Sequence, residues 1–136
     1  MQNSPNIILA EISPAELLDK IAVLEIKKER IKVPSKLRNV MTELETLEKA
    51  RDKHITRSER IMELARNLKK MNEVIWDQSD AIRILDMKKH YGPEFVEVSL
   101  DIHRSNDKRA AIKKEINLLL ESNIIEEKSY DELPDA

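Results

Sequence analysis

The only glycine of the chain stands directly before a proline, at Gly92-Pro93, and separates two long stretches with helical periodicity. Glycine adopts the left-handed backbone conformation that ends many helices, and proline is favoured in the first turn of the next helix. Apolar residues recur at alternating steps of three and four on both sides of this break: Ile61, Leu64, Leu68, Met71, Ile75, Ile82 and Leu85 before it, and Phe95, Val98, Ile102, Ile112, Ile116 and Leu119 after it. The pattern predicts two long helices, over about 58–90 and 93–121, packed as an antiparallel hairpin.

Three polar residues interrupt the apolar seam of this hairpin: Gln78 in its first helix, and Ser105 and Arg109 in its second. In a hairpin that reverses at Gly92, facing residues have numbers that sum to roughly 184, so the three interruptions fall at one level. Polar residues scattered over a solvated surface would not coincide in this way. The sequence therefore predicts a buried polar layer.

The charge of Arg109 constrains this layer, because a buried arginine without a carboxylate partner is strongly destabilising. We expect Asp77 or Asp80 to pair with Arg109, and Gln78 and Asn106 to complete the hydrogen bonds. A layer of this kind can fix the register of packed helices, which is the interpretation we favour. The alternative is a pocket for a small polar or anionic ligand, lined by Asp77, Asp80, Arg83, Asn106, Asp107, Arg109 and Lys113.

The composition is typical of a single all-helical domain over residues 1–136. Charged residues make up 37% of the chain and aromatic residues 3%, and there is no cysteine. The net charge of -2 is mixed along the chain, without the basic face that nucleic-acid binding requires. The lack of cysteine excludes disulfides and thiolate metal sites, and no apolar run approaches the roughly 20 residues that span a bilayer. With no charged and apolar leader at its start, the chain is expected to be soluble and cytoplasmic.

The first half of the chain predicts two shorter helices. Ser13-Pro14, with Glu16 three residues after the serine, is a helix start, and this helix extends to about residue 32. Ser35 is predicted to cap a second helix, which ends in a polar turn near 54–58. Apolar runs at 6–12 and 123–130 are expected to be extended segments or edge strands, and 1–5 and 131–136 to be loose.

The unequal lengths of the predicted helices indicate an oligomer. The two helices of the hairpin are each roughly 45 Å long and the two preceding helices roughly 28 Å, so part of the hairpin is left uncovered. Val74, Trp76, Ile84 and Met87 lie outside the seam, and the last helix ends in the apolar run 118–120. Exposed apolar surface on long helices is typical of association. We expect a homodimer first and a higher oligomer second, with an unidentified protein partner as a further alternative.

Catalytic and metal-binding patterns are incomplete. None of the three histidines has a glutamate three residues before it, so the di-iron template of helical bundles is missing. Helical nucleotide pyrophosphohydrolases hold magnesium with clustered acidic residues, but here Glu73, Asp77 and Asp80 form such a stripe on one helix only. Phosphate loops, nucleophile elbows and zinc-protease motifs are missing too. We therefore predict no metal, no cofactor and no catalytic residue.

Short motifs spread over the chain carry a resemblance to a known family. They are Leu17-Leu18-Asp19-Lys20-Ile21, Leu24-Glu25-Ile26-Lys27, Arg30-Ile31, Asn72, Trp76-Asp77, Ile82-Arg83, Gly92-Pro93-Glu94-Phe95, Asn106-Asp107, Arg109-Ala110, Lys113, Ile116-Asn117 and Glu126-Glu127-Lys128-Ser129-Tyr130. With these motifs the chain resembles, over nearly its full length, a bacterial family of small helical proteins with no assigned activity. The resemblance implies that distant polar residues converge: Asp19, Lys20, Asp77, Arg83, Asn106, Asp107, Arg109, Lys128 and Tyr130.

These observations favour a non-catalytic, coiled-coil-like helical bundle that oligomerises and acts as an interaction or adaptor module. The alternative is a small-molecule or phosphate-binding protein, or a hydrolase, that uses the polar layer. A fully packed layer would favour the first function. A concave pocket at the same level would favour the second.

Overall fold

The computed structural model describes residues 6–134, which form the helices α1 (Pro14–Arg30), α2 (Pro34–His54), α3 (Glu59–Met87) and α4 (Pro93–Leu119). A 3-10 turn follows at Tyr130–Glu132. None of these residues is in a strand, so the predicted all-α bundle is confirmed and the runs 7–12 and 123–129 are irregular. No helix in the described part of the chain is long and apolar enough to cross a membrane. The expectation of loose ends falls, for 1–5 and 135–136, outside the described residues.

Local capping explains where the helices begin. The hydroxyl oxygen of Ser13 accepts a hydrogen bond of 3.1 Å from the backbone N–H of Glu16, and that of Ser58 accepts one of 3.2 Å from Ile61. The predicted start of α1 at Ser13-Pro14 is confirmed, and α3 begins at Glu59, next to the predicted residue 58. In both helices the serine satisfies an N–H group that has no partner within its helix. The expectation that Ser35 caps α2 is wrong. Pro34 already occupies the first helical position there, since its fixed φ suits the first turn.

The reversal between α3 and α4 does not use Gly92 as a left-handed residue. Gly92 has φ -83° and ψ -157° and is the N-cap of α4. The left-handed residue is Lys89, with φ 56°, and the backbone N–H of the next residue, His90, donates a hydrogen bond of 2.9 Å to the carbonyl of Leu85. This bond closes the last turn of α3, so the helix ends three residues earlier than the glycine suggested.

Helix α1 lies between α2 on one side and the α3–α4 hairpin on the other. One of its faces packs in a buried cluster made of Ala15, Leu18, Ile61, Leu64, Leu68 and Ile116. The other face packs in a second cluster made of Leu17, Ile21, Leu24, Val40 and Leu44. The apolar surface of α1 is wide enough for two neighbours, as a central bundle helix requires.

The outer part of the hairpin extends beyond the other helices. Arg30, the last residue of α1, forms an ion pair with Asp77 of α3. From Asp77 to Met87 the helix continues for roughly 15 Å, and α4 returns alongside it. We call residues 78–105 the distal hairpin. Its large exposed apolar side chains are Ile84, Met87, Tyr91, Val96 and Leu100.

The conformation of the reversal predicts which residue in it favours glycine. Lys89→Gly is expected to raise the free energy of unfolding by about 0.5–1 kcal/mol, because glycine has no Cβ to oppose a positive φ. Gly92→Ala is expected to change it by less than about 0.5 kcal/mol, since Gly92 has an allowed negative φ and a Cβ there would meet nothing within 4 Å. Urea denaturation measures both. A lower free energy of unfolding for Gly92→Ala, with no increase for Lys89→Gly, would contradict the assignment of Lys89 as the left-handed residue.

Candidate functional site

A buried carboxylate on α1 forms the centre of the polar region between the helices. Asp19 is 4% exposed. Its Oδ1 accepts a hydrogen bond of 2.8 Å from Nδ2 of Asn72 on α3, and its Oδ2 accepts one of 3.0 Å from Nη2 of Arg109 on α4. Nζ of Lys113 lies 3.4 Å from the same Oδ2. We call these four residues the Asp19 cluster. One carboxylate in it joins three helices, and two cations face its charge.

Lys113 links this cluster to further carboxylates. Its side chain is 12% exposed, and its Nζ lies 2.8 Å from Oε2 of Glu16 and 3.7 Å from Oε2 of Glu126. Burial opposes the charged form of Lys113, but the hydrogen bond to Glu16 and the nearby carboxylates outweigh burial and raise its pKa. The pKa of Glu126 is lowered, first by a hydrogen bond from Lys128 and then by the charge of Lys113. Both shifts favour the ionised forms at neutral pH.

The C-terminal segment, residues 123–132, folds back along α4 toward this cluster. Nζ of Lys114 lies 3.8 Å from Oε1 of Glu127. Nearer to the reversal between α3 and α4, the hydroxyl of Tyr130 hydrogen-bonds to Asp107, which raises the pKa of Tyr130. The C-terminal segment therefore runs antiparallel to α4. A cavity of about 400 Å³ lies between the segment, α4 and residues 11–13, and Lys113 is among its lining residues.

A second buried amide fixes the start of α1 against α4. Asn117 is 3% exposed, and its Oδ1 accepts a hydrogen bond of 2.9 Å from the backbone N–H of Ala15. The first N–H groups of a helix have no partner within the helix. Asn117 therefore supplies an acceptor for the N–H of Ala15, which would otherwise be buried without a hydrogen bond. Asn117 follows Lys113 by four residues, so the two side chains are neighbours on α4. Helix α1 is therefore held along its first turn and a half by polar contacts to α4.

The expectation that Asp77 or Asp80 pairs with Arg109 is wrong. Asp19 of α1 pairs with Arg109, whereas Asp77 pairs with Arg30. Arg30 has a raised pKa, first because of its hydrogen bond to Asp77, and the charge of Asp80 adds to this effect. The physical reason is the position of α1, which packs against both helices of the hairpin and brings its own charges to the polar layer.

The other predicted site residues lie at the edge of the cluster or apart from it. Nη1 of Arg109 donates a long hydrogen bond of 3.5 Å to Oδ1 of Asn106. Arg83 is exposed, and no carboxylate in residues 6–134 pairs with it. Ser105 is buried, and the buried Oε1 of Gln78 accepts no hydrogen bond from the described residues. Of the predicted ligand-binding residues, Arg109 and Lys113 belong to the Asp19 cluster, and Asn106 and Asp107 lie next to it on α4. The other three, Asp77, Asp80 and Arg83, lie apart from it.

The residue at the centre of the cluster, Asp19, lies on α1 and therefore outside the seam pattern of the hairpin. Asp19 is present only among the residues that the family resemblance implies. One signal in the sequence could have found it. Asp19 stands between Leu18 and Ile21 on a helix that is apolar over two faces, so a charge at that position requires a buried partner.

The cluster is suited to holding helices together rather than to binding an anion. Both of its cations are paired with carboxylates, so an anion would have to displace Asp19 from Arg109, or Glu16, Asp19 or Glu126 from Lys113. Within residues 6–134, no three histidine, aspartate or glutamate side chains are grouped so that they could hold a metal ion. What the geometry supports directly is a fixed packing of α1 against α3 and α4.

The structural role of Asp19 predicts a large loss of stability on truncation. Asp19→Ala is expected to lower the free energy of unfolding by about 2–3 kcal/mol, because it leaves Arg109 and Lys113 without their shared carboxylate. The expected loss of stability is smaller than for a fully buried ion pair, because the side chain of Arg109 is 30% exposed to solvent. Urea denaturation at neutral pH measures it.

The matched control is the neighbouring residue on the same helix. Lys20 is exposed, and its Nζ lies 3.8 Å from Oε1 of Glu16. Lys20→Ala is expected to change the free energy of unfolding by at most about 0.5 kcal/mol, as is usual for an exposed ion pair. Equal effects of the two substitutions would contradict a structural role for Asp19.

Comparison with known proteins places the chain in a family. Residues 8–134 match the model of a family of unknown function (DUF6165), which agrees with the full-length resemblance found in the sequence. No curated protein and no solved structure matches the chain. Because the matched region spans nearly all of the sequence, the chain belongs to the DUF6165 family of unknown function.

Proposed function

We propose that the protein is a non-catalytic interaction module that self-associates through its distal hairpin. The observation that carries this proposal is the exposed apolar surface of that hairpin. Ile84 is 50% exposed, Met87 81% and Val96 52%. Large apolar side chains at this exposure in the outer part of two long helices are typical of surfaces that a partner covers.

The positions of these residues support association along the length of the hairpin. Asn72 and Arg109 reach the same carboxylate, so the numbers of facing residues in the folded hairpin sum to roughly 181. Ile84 and Val96 therefore lie at one level, with Met87 about one turn nearer the reversal and Leu100 about one turn farther from it. The exposed apolar residues of α3 and α4 thus occupy adjacent levels rather than isolated positions. Packing of a second hairpin alongside would extend the two-helix seam into a bundle.

The charges that flank these levels are complementary between the two helices. The distal part of α3 and the residues that follow it include Arg83, Lys88 and Lys89, none of which pairs with a carboxylate in the described residues. The distal part of α4 contains Glu94, which pairs with no cation in the described residues, and Glu97, whose Oε1 lies 3.5 Å from Nη1 of Arg104 on the same helix. In a two-fold dimer, each copy offers both of these charged surfaces. A second copy of the chain is therefore a suitable partner, with α4 of one copy next to α3 of the other.

The alternative function, binding of a phosphate or another small molecule by the polar layer, has weaker support. It would use the cavity of about 400 Å³ beside Lys113. The cations near that cavity are already paired, so binding an anion there would require an ion pair to be broken. The exposed hairpin requires no such rearrangement in order to associate.

The proposal predicts a dimer that charge on the hairpin disrupts. The purified protein is expected to have about twice its chain mass of 15.8 kDa in light scattering after size exclusion. The double change Ile84→Glu and Leu100→Glu is expected to weaken dimerisation at least about tenfold, because it places charges in the apolar contact. Sedimentation equilibrium measures the dissociation constant, and circular dichroism checks that the helices remain.

The control moves the same charges to an exposed apolar site outside the hairpin. Ile8 and Leu9 are each 89% exposed in the N-terminal segment. Changing both to glutamate is expected to leave the dissociation constant unchanged. A wild-type protein that stays monomeric at about 100 μM, or a hairpin variant that dimerises like the wild type, would rule out this mode of association.

A further inference from the structure

A cavity of about 760 Å³ lies at the end of the molecule that is remote from the distal hairpin. It is bounded by α1, by the carboxyl end of α2 with the turn 55–58, and by the first turns of α3. The Asp19 cluster does not contribute to its lining. A volume of this size is typical of pockets that enclose most of a small ligand.

The inner surface of this cavity is apolar. Leu18, Ile21 and Ile61 form its floor and are at most 6% exposed to solvent. The accessible apolar surface comes from the half-buried Ile55 and Ala65 and from Met62, which is 43% exposed. Ala22 and Ala65 line it too, and their small side chains leave open the space that larger residues would fill. This part of the cavity offers carbon contacts and no charged group, so it suits a hydrocarbon chain.

The rim of the same cavity is cationic. Arg51 and Lys69 are paired with carboxylates, Arg51 with Asp52 at 3.0 Å and Lys69 with Glu25 at 3.5 Å. The other cations of the lining are Lys53, Arg57 and Arg66, and none of them pairs with a carboxylate in residues 6–134. They contrast with the cations of the Asp19 cluster, which are all paired. The rim therefore carries positive charge that the described part of the chain does not neutralise.

We propose that this cavity binds an amphipathic anion: a single hydrocarbon chain that bears one phosphate or carboxylate headgroup. The chain would lie on the surface formed by Ile55, Met62 and Ala65, above the buried Leu18 and Ile61, and the headgroup would meet Arg57 and Arg66 at the rim. Guanidinium groups recognise both headgroups, because their N–H donors match two oxygens at once. A half-enclosed cavity accepts a single chain from solution, whereas a bilayer surface would require a flat, exposed cationic face. This site is separate from the distal hairpin and does not depend on self-association.

Isothermal titration calorimetry with dodecyl phosphate, below its critical micelle concentration, tests the proposal. Saturable binding of one molecule per chain is expected. Dodecyl maltoside, which has the same chain without the charge, and inorganic phosphate, which has the charge without the chain, are each expected to bind at least about tenfold more weakly. Equal binding of dodecyl maltoside, or no binding of dodecyl phosphate, would overturn it.

Two sets of variants locate the ligand. Arg57→Gln with Arg66→Gln is expected to weaken dodecyl phosphate binding at least about tenfold by removing the headgroup contacts. Ala65→Leu is expected to weaken it by filling the apolar part. Lys36→Gln with Arg38→Gln, which removes the same charge from the exposed start of α2, is expected to change nothing.

Sedimentation with lipid vesicles distinguishes a soluble ligand from a membrane. The protein is expected to stay in the supernatant with vesicles of phosphatidylcholine that contain phosphatidic acid. Vesicle binding that depends on Arg57 and Arg66, without binding of monomeric dodecyl phosphate, would replace the cavity site with a surface for anionic lipid. Identical affinities in the rim variants and the Lys36 and Arg38 control would also overturn the proposal.

Discussion

The packing of this protein depends on one buried ion cluster. Removing the Asp19 carboxylate from water is costly, and the structure offsets that cost with donors from two other helices, Asn72 on α3 and Arg109 and Lys113 on α4. Because the donors come from separate helices, the carboxylate is satisfied only when all three are in register. The apolar clusters supply the bulk of the favourable burial. The Asp19 cluster selects one arrangement among those that would bury similar apolar area.

The position of α1 determines which surfaces the molecule leaves open. This helix is short, and it packs against both helices of the hairpin and against α2. It ends where Arg30 meets Asp77, so the hairpin beyond that level keeps exposed apolar side chains. At the opposite end, the turn between α2 and α3 leaves the cavity with an apolar interior and a cationic rim. The cluster of fixed charges thus lies between the two surfaces to which we assign binding.

Much of the fold could be predicted because its signals are local. The starts of α1 and α3 were predictable from Ser13 and Ser58, since a cap acts within three residues of itself. The Gly92-Pro93 pair located the reversal correctly but suggested the wrong left-handed residue. Lys89 adopts that conformation because the hydrogen bond from His90 to Leu85 closes the helix there, and no residue preference requires it.

The candidate site could be predicted only in part. The interruption of the apolar seam at Arg109 predicted that this side chain lies in a polar layer. Its positive charge predicted a carboxylate partner, because an unpaired buried charge is strongly destabilising. The identity of that carboxylate could not be predicted in the same way. A hairpin of α3 and α4 alone offers only its own carboxylates near Arg109, and Asp77 and Asp80 are among them. In the bundle, α1 supplies Asp19 instead.

Four features of this protein follow from its amino-acid sequence: the helices, their approximate ends, the antiparallel hairpin and the need for a buried countercharge. Each of these depends on periodicity, capping or the chemistry of a single side chain. Three others arise only when the four helices pack: which carboxylate pairs with Arg109, which cations stay unpaired at the cavity rim, and how far α1 covers the hairpin. Those outcomes depend on distances between residues far apart in the chain. Such distances are set by how all the apolar faces pack together, which no local pattern encodes.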